Sequence, residues 1–253
     1  MNTTALQASG VTKRFGGVTA LSGVSLELRA GEVHGLIGPN GSGKTTLLNL
    51  LSGYYKPDEG QVLLGSEDLS QRPVQARAKQ GVARTFQKPR LLPSLTVLEN
   101  AMIGGWRDTR SGFLASALAL AGARREEREL RVRALELLQG VGLGHVADRR
   151  ANLLEHAEQR FLEIARGLTG RPRFVLLDEP AGGLTGAEIE HLGTVIRVMR
   201  DCGIGVLLVE HHTDFVFRIC DRVTTLDLGR MIMHGTPAQV RADPEVIRVY
   251  LGA

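Results

Sequence analysis

Gly38-Pro39-Asn40-Gly41-Ser42-Gly43-Lys44-Thr45 fits the pattern G-x-x-x-x-G-K-[ST] at every fixed position. The apolar run Val33 to Ile37 (VHGLI) leads into it, and a helical pattern from Thr46 to Leu51 leads out. Strand, glycine loop and helix in that order make a phosphate cradle. Glycines let the backbone curl with its N–H groups pointing inward, and the helix presents its positive end. Lys44 is placed to reach β- and γ-phosphates, and the Thr45 hydroxyl to ligate Mg2+. Residues Gly38 to Thr46 are therefore the candidate nucleotide-binding set. A loop of this kind serves kinases, GTPases and transport ATPases alike, so further residues must choose among them.

The next informative stretch is Phe174-Val175-Leu176-Leu177-Asp178-Glu179, an apolar run that ends in two carboxylates. Asp178 suits a Mg2+ shell, because hard cations take carboxylate oxygen. Glu179 stands one residue beyond and is placed to polarise an attacking water as a general base.

Around these two sites the pattern is α/β. Val24 to Leu28 alternates as a half-buried strand does, Gln61 to Leu64 is a further strand candidate, and Gly205 to Glu210 is a second buried run. Residues from about Val97 to Gly170 read as mostly helical, with Glu129 to Gln139 and Gln159 to Leu168 clearest; Gly186 to Arg200 and Pro244 to Leu251 are helical as well. A length of 253 residues allows one large α/β domain with an insert.

Composition narrows the function by exclusion. A net charge of +4 and 4% aromatic residues give no basic stripe interleaved with rings, which argues against nucleic acid. Arg124, Arg125, Arg128, Arg131 and Arg133 alternate with Glu126, Glu127 and Glu129, as on a solvated helix face. Cys202 and Cys220 fit neither a disulfide framework nor a metal cluster, so reduced thiols are expected. The start MNTTALQASG lacks the basic-then-apolar form of a secretory signal. The longest apolar patch, Gly112 to Gly122, falls far short of the roughly 20 residues a bilayer span needs. Any membrane role is therefore expected through a partner. His211, His212 and Asp214 lie close in sequence but lack HExxH spacing and a third ligand.

With these residues in order, the chain resembles the ATP-binding-cassette (ABC) family over essentially its whole length. Phe15, in Lys13-Arg14-Phe15-Gly16-Gly17, sits where that family stacks an aromatic on adenine, with Val18 close by. Gln87, in Arg84-Thr85-Phe86-Gln87, looks like the glutamine that contacts Mg2+ and links nucleotide to permease. Asp178 and Glu179 match the metal-linked aspartate and the catalytic glutamate, and His211 looks like the histidine that bonds the γ-phosphate. The resemblance implies a P-loop NTPase core with a mostly parallel sheet, an antiparallel β subdomain and a helical subdomain inserted at about 95–168 of a single domain spanning 1–253. It implies ATP hydrolysis with ATP and Mg2+ as cofactors, and Glu179, His211, Gln87 and Lys44 as catalytic residues.

Local wording is closest to the ATPases of branched-chain amino-acid importers: GVARTFQ at Gly81 to Gln87, LTVLEN at Leu95 to Asn100, LEIAR at Leu162 to Arg166, DEPA at Asp178 to Ala181, and the ending Pro244 to Gly252. Gly105 to Arg125 looks like that group's extra segment. The resemblance implies two permease subunits, a second ATPase (identical or different), a periplasmic binding protein, and a peripheral place on the cytoplasmic face of the inner membrane.

One stretch departs from the family. Where its signature reads Leu-Ser-Gly-Gly-Gln or a close variant, this chain has Leu154-Glu155-His156-Ala157-Glu158. In the family this segment faces the γ-phosphate held by the opposite subunit. Two like charges ~4 Å apart repel by roughly 4 kcal/mol at an effective dielectric of 20, so Glu155 is expected to weaken that contact. Ala157 is expected to lose the close approach and positive φ of a glycine.

Overall fold

The structure is a computed structural model, and it describes residues 5–106 and 121–251. The apolar patch Gly112 to Gly122 and the core of the Gly105 to Arg125 segment lie outside or at the edge of those residues.

The chain opens with β1 (Ala5–Phe15) and β2 (Val18–Arg29), then β3 (Val33–Ile37), which is the VHGLI run, and α1 (Lys44–Ser52). β4 (Glu59–Leu64), β5 (Glu67–Asp68), α2 (Val74–Lys79) and β6 (Val82–Arg84) follow. A helical stretch then supplies α3 (Val97–Ile103), α4 (Ala121–Gly140) and α5 (His156–Thr169). The chain returns through β7 (Phe174–Asp178), α6 (Gly186–Asp201), β8 (Gly205–Val209), α7 (Thr213–Ile219), the hairpin β9 (Arg222–Asp227) and β10 (Arg230–Gly235), and finally α8 (Pro237–Ala242) and α9 (Pro244–Leu251).

Two sheets result. One is antiparallel, in the order β2-β1-β4-β5; the other runs β10-β9-β3-β8-β7-β6, parallel except for β10. β3, β7 and β8 are buried at every position, as expected of largely apolar strands covered on both faces. Their alternate residues serve two cores. Leu36, Leu176 and Leu207 pack with Leu47, Leu50 and Leu51 of α1 and with the antiparallel sheet. Ile37, Leu177 and Leu208 pack on the other face, in a core that includes Phe161 and Ile164 of α5 and Ile196 of α6.

The strand order explains where chemistry can gather. β3, β7 and β8 point the same way, so the loops after Ile37, Asp178 and Val209 emerge along one edge, where open α/β sheets hold ligands. The far end of α1 is fixed by Arg77, whose buried guanidinium donates to the Leu50 and Leu51 carbonyls that a helix end leaves unsatisfied.

Candidate functional site

The glycine loop is shaped by contacts that exclude side chains. A Cβ on Gly38 would overlap the Leu226 carbonyl and Ser42 Oγ. Gly43 holds φ 106, and a Cβ there would lie 2.8 Å from the Ala20 carbonyl oxygen. The turn between β9 and β10 braces the loop from behind: the Ser22 N–H donates to the Gly229 carbonyl at 2.8 Å, and the Gly229 N–H donates to the Ser42 carbonyl at 3.0 Å.

The start of α1 differs from three other helix starts in this fold. Thr96, Thr185 and Thr236 cap α3, α6 and α8 with their hydroxyls, each backed by Glu or Gln three residues on. α1 begins at Gly43 with no side-chain cap and no acidic residue in its first turn. Its first N–H groups thus stay free of side-chain acceptors, the arrangement that receives an anion. Ser42 Oγ is also buried without a hydrogen-bond partner. Lys44 is 5% exposed and donates from Nζ to the Gly38 and Pro39 carbonyls at 2.7 and 2.9 Å, across the mouth of the loop. Burial pushes its ammonium below the usual lysine range, and Glu179 and Asp178 pull it back up. Asn40, Gly41 and Thr45 are exposed, Pro39 and Thr46 half-buried.

The candidate residues from distant parts of the sequence meet beside this loop. Glu179 takes φ 48 directly after β7, and its N–H donates to the Val209 carbonyl at 2.9 Å, which turns its side chain out of the sheet. Gln87 Nε2 donates to Glu179 Oε2 at 2.8 Å, and His211 Nε2 lies 2.6 Å from Glu179 Oε1, so that nitrogen carries the imidazole proton. Asp178 is 5% exposed; its N–H donates to Thr85 Oγ1 at 3.3 Å, and Arg84 donates to its Oδ2 at 2.9 Å. Gln87 keeps its amide oxygen free of that contact; that oxygen, the Asp178 carboxylate and the Thr45 hydroxyl are each hard oxygen donors, the chemistry Mg2+ favours. Phe15 and Val18 face each other across the β1–β2 turn, 42% and 67% exposed, with Phe15 edge-on to Tyr55 at 5.1 Å.

Leu154 to Glu158 stand apart from this cluster. Leu154 is buried in the core, Glu155 and His156 are exposed, and Ala157 is half-buried. Glu155 is the N-cap of α5, and Glu158 accepts its N–H at 2.8 Å. This capping starts α5 three residues before the apolar pattern does. It also revises the expectation for Ala157, which is helical and packs its methyl on the core, so no positive φ is required there. The His156 ring covers Gly183.

Residues that the sequence did not flag organise the cluster. Glu210, 1% exposed, accepts the Ala181 N–H at 2.6 Å, the His211 N–H at 3.1 Å and contacts His212 Nδ1 at 3.3 Å. One face of α5 grips the chain on both sides of Gln87: Arg160 donates to the Phe86 carbonyl, Glu163 accepts the Arg90 N–H, and Arg166 donates to the Arg90 carbonyl. Glu210 has a visible signal, since Gly205 to Glu210 repeats the form of an apolar strand ending in a carboxylate. The α5 grip has none. His211, His212 and Asp214 form no metal cluster, and no group of three potential ligands occurs among the described residues.

Comparison with known proteins supplies the context for this geometry. Residues 21–182 match the ABC transporter family, and residues 230–253 match the branched-chain amino acid ATP-binding cassette transporter family. The chain is 41% identical over 248 residues to the high-affinity branched-chain amino acid transport ATP-binding proteins BraF of Pseudomonas aeruginosa and LivG of Escherichia coli, covering 98% of this chain and 97% of each relative. Identity to the lipopolysaccharide export system ATP-binding protein LptB of Escherichia coli is 34% over 247 residues, covering 98% of this chain and 97% of LptB. Among solved structures, the ADP conformation of an ATP-binding cassette of an ABC transporter superposes with a TM-score of 0.85 at 31% identity, covering 99% of both chains. A dimeric post-hydrolysis cassette bound to ADP and Pi gives 0.76 at 26% identity, covering 92% of this chain and 98% of that one.

Proposed function

Because this chain belongs to the ATP-binding-cassette (ABC) transporter family, we propose that it is the subunit whose ATP hydrolysis powers uptake of branched-chain or related amino acids through a transmembrane permease. The observation that carries the catalytic half is the clamp on Glu179, held by Gln87 at 2.8 Å and His211 at 2.6 Å beside the Lys44 loop. The solute half rests on relatives named for branched-chain amino acid transport and on the family match at residues 230–253.

In this reading residues 1–253 form one ATPase domain, with residues 95–168 as its helical insert. Gly38 to Thr46 wrap the phosphates of ATP, Phe15 lies against adenine, and Val18 flanks it. Thr45, Gln87 and Asp178 would hold Mg2+, which would screen phosphate charge. Lys44 exchanges the Gly38 and Pro39 carbonyls for the β- and γ-phosphates. Glu179, released by Gln87 and His211, accepts the proton of the attacking water. His211 then donates to the γ-phosphate as charge gathers on its oxygens.

The chain works as one of a pair of ATPases docked on permease subunits, on the cytoplasmic face of the membrane, with a periplasmic binding protein delivering the solute. No helix among the described residues is long and apolar enough to cross a membrane, which fits attachment through the permease. Leu154 to Glu158 face the partner's ATP. Glu155 fills the start of α5 with a carboxylate, so the site completed by this chain turns over more slowly than the one built on its own Lys44. Glu155→Ser with Ala157→Gly is expected to raise the ATPase rate of the assembled transporter, and no gain would remove the idea of a weakened site.

The direct test is the fate of the γ-phosphate and of the solute. Purified with its permease in vesicles, the chain is expected to release free phosphate and to drive leucine uptake that stops with Glu179→Gln. A phosphorylated small-molecule product would instead make it a kinase. Solute moving outward would make it an export ATPase.

A further inference from the structure

Arg84 ends β6, an edge strand, yet its side chain is only 7% exposed. A buried guanidinium needs partners, because desolvating its charge is costly unless the donors are satisfied. Its partners come from two different elements. One nitrogen donates to Asp178 Oδ2 at 2.9 Å. The other donates to Asn49 Oδ1 and, at 3.1 Å, to Ser52 Oγ, both on α1. The guanidinium carbon lies 5.5 Å from the Tyr54 ring centroid and 5.2 Å from that of Phe86, so two aromatic faces hold the group. Nε is buried with no hydrogen-bond partner, and the Tyr54 and Phe86 rings stand edge-on to each other, 5.7 Å apart.

The consequence concerns spacing. Asn49 lies one helical turn beyond Thr45, about 6 Å along α1 at 1.5 Å per residue. Arg84 therefore ties the helix that carries the Thr45 hydroxyl to the strand end that carries the Asp178 carboxylate. It also occupies one Asp178 oxygen. Among the described residues, Oδ1 carries no hydrogen bond and is the oxygen left over. Only a planar fork can serve both partners at once; a lysine ammonium is a single point on a flexible stem.

We propose that Arg84 is a positioning residue for metal-bound nucleotide: it presents Asp178 Oδ1 at a fixed distance from the Thr45 hydroxyl by bridging β7 to α1. The proposal rests on the reading of Asp178 as the Mg2+-side carboxylate.

The experiment measures how much Mg2+ tightens binding of a fluorescent ADP to the full chain, comparing each affinity with Mg2+ to that with EDTA. Arg84→Met is expected to cut this Mg2+-dependent gain by about tenfold while leaving the affinity in EDTA within about twofold. Arg84→Lys, which keeps the charge and loses the bridge to Asn49, is expected to fall between Arg84→Met and the unchanged chain. An unchanged gain in Arg84→Met overturns the proposal, and so does an equal loss with and without Mg2+, which marks a merely structural role. Should Arg84→Met fail to fold because Asp178 is left buried and unpaired, the pair Arg84→Met with Asp178→Asn replaces it. Asp178→Asn alone is expected to abolish the gain, with the added Arg84→Met changing nothing more; a further loss overturns the proposal. If Asp178→Asn keeps the full gain, the reading of Asp178 fails first. If Asp178→Asn loses the gain while Arg84→Met keeps it, only the role of Arg84 fails.

Discussion

At the Val33 end of β3 two histidines, an arginine and a threonine form one chain of hydrogen bonds, while at the Ile37 end a histidine, a glutamine and a lysine surround Glu179 and Asp178. The lower chain can be read proton by proton. His34 Nδ1 donates to the Glu27 carbonyl at 3.0 Å, so its Nε2 must accept from Thr224 Oγ1 at 2.8 Å. Thr224 Oγ1 in turn accepts from His234 Nδ1 at 2.9 Å, and His234 Nε2 accepts from Arg222 at 2.6 Å. Each ring nitrogen then has one role, donor or acceptor. Both rings must be neutral for the chain to close, and burial, helped by the Arg222 charge, pushes His34 down to about 3 and lowers His234 as well. A cleft of about 290 Å³ opens beside it, lined by Glu27, Arg222 and His234, but their charges are turned to neighbours within the fold. The upper cluster leaves groups accessible: the side chains of His211 and Glu179 are 40% and 22% exposed, on backbone that leaves the sheet. Similar side chains are sealed inside the fold at one end of the strand and open to solvent at the other.

The largest effect should separate the two ends outright. Glu179→Gln is expected to lower phosphate release by about 10²–10⁴ with urea stability and ATP binding nearly unchanged; a drop of less than tenfold would break the contrast. At the lower end His34→Leu removes two hydrogen bonds and strands the Thr224 hydroxyl, so unfolding in urea should show about 2–4 kcal/mol of lost stability with turnover per folded molecule retained.

The same histidine predicts the pH response. A depressed folded pKa means that the unfolded chain binds the extra proton first, so the His34 contribution is intact above the free value of 6.5 and fades as pH falls toward about 3. Chemical denaturation should show a loss of up to roughly 1.4 kcal/mol per pH unit in that window, and His34→Leu should flatten it. Glu32, raised by burial, acts with the opposite sign: its contribution grows as pH falls through its raised folded value toward 4.5. The smallest effect belongs to Ser42→Ala. Removing an unpartnered buried hydroxyl should change stability by less than about 1 kcal/mol but weaken nucleotide binding, seen by calorimetry, by a few-fold.

Much of this contrast was legible in the sequence, and unevenly. β3 and β7 match the runs VHGLI and FVLLD residue for residue, because strands buried on both faces are apolar nearly throughout, His34 being the polar side chain inside β3. β1 was hidden by a register shift around Gly10 that breaks its alternation, and β9 by Thr224 and Thr225, both fully buried yet polar. The turn after β9 places Leu228 at φ 43, a conformation its residue type does not advertise. Lys44, Asp178, Glu179, Gln87 and His211 stood out because each ends a strand or completes a motif. Arg84, Glu210 and His34 each acquire their roles in part from distant partners, Asp178, Ala181 and Thr224, which are 94, 29 and 190 residues away.

The hold of α5 on the chain around Gln87 makes that helix resemble a connecting rod. Glu155 caps one end, and Arg166 bears on the loop at the other. Eleven residues at 1.5 Å each make a rod of about 16 Å, so a swing of only about 10° carries its far end nearly 3 Å. That travel equals the full length of the Gln87–Glu179 hydrogen bond, 2.8 Å. A small tilt of α5 and the breaking of the Gln87–Glu179 hydrogen bond are therefore movements of the same size. In mechanical terms the helix is a lever whose throw has the scale of the contact beside it.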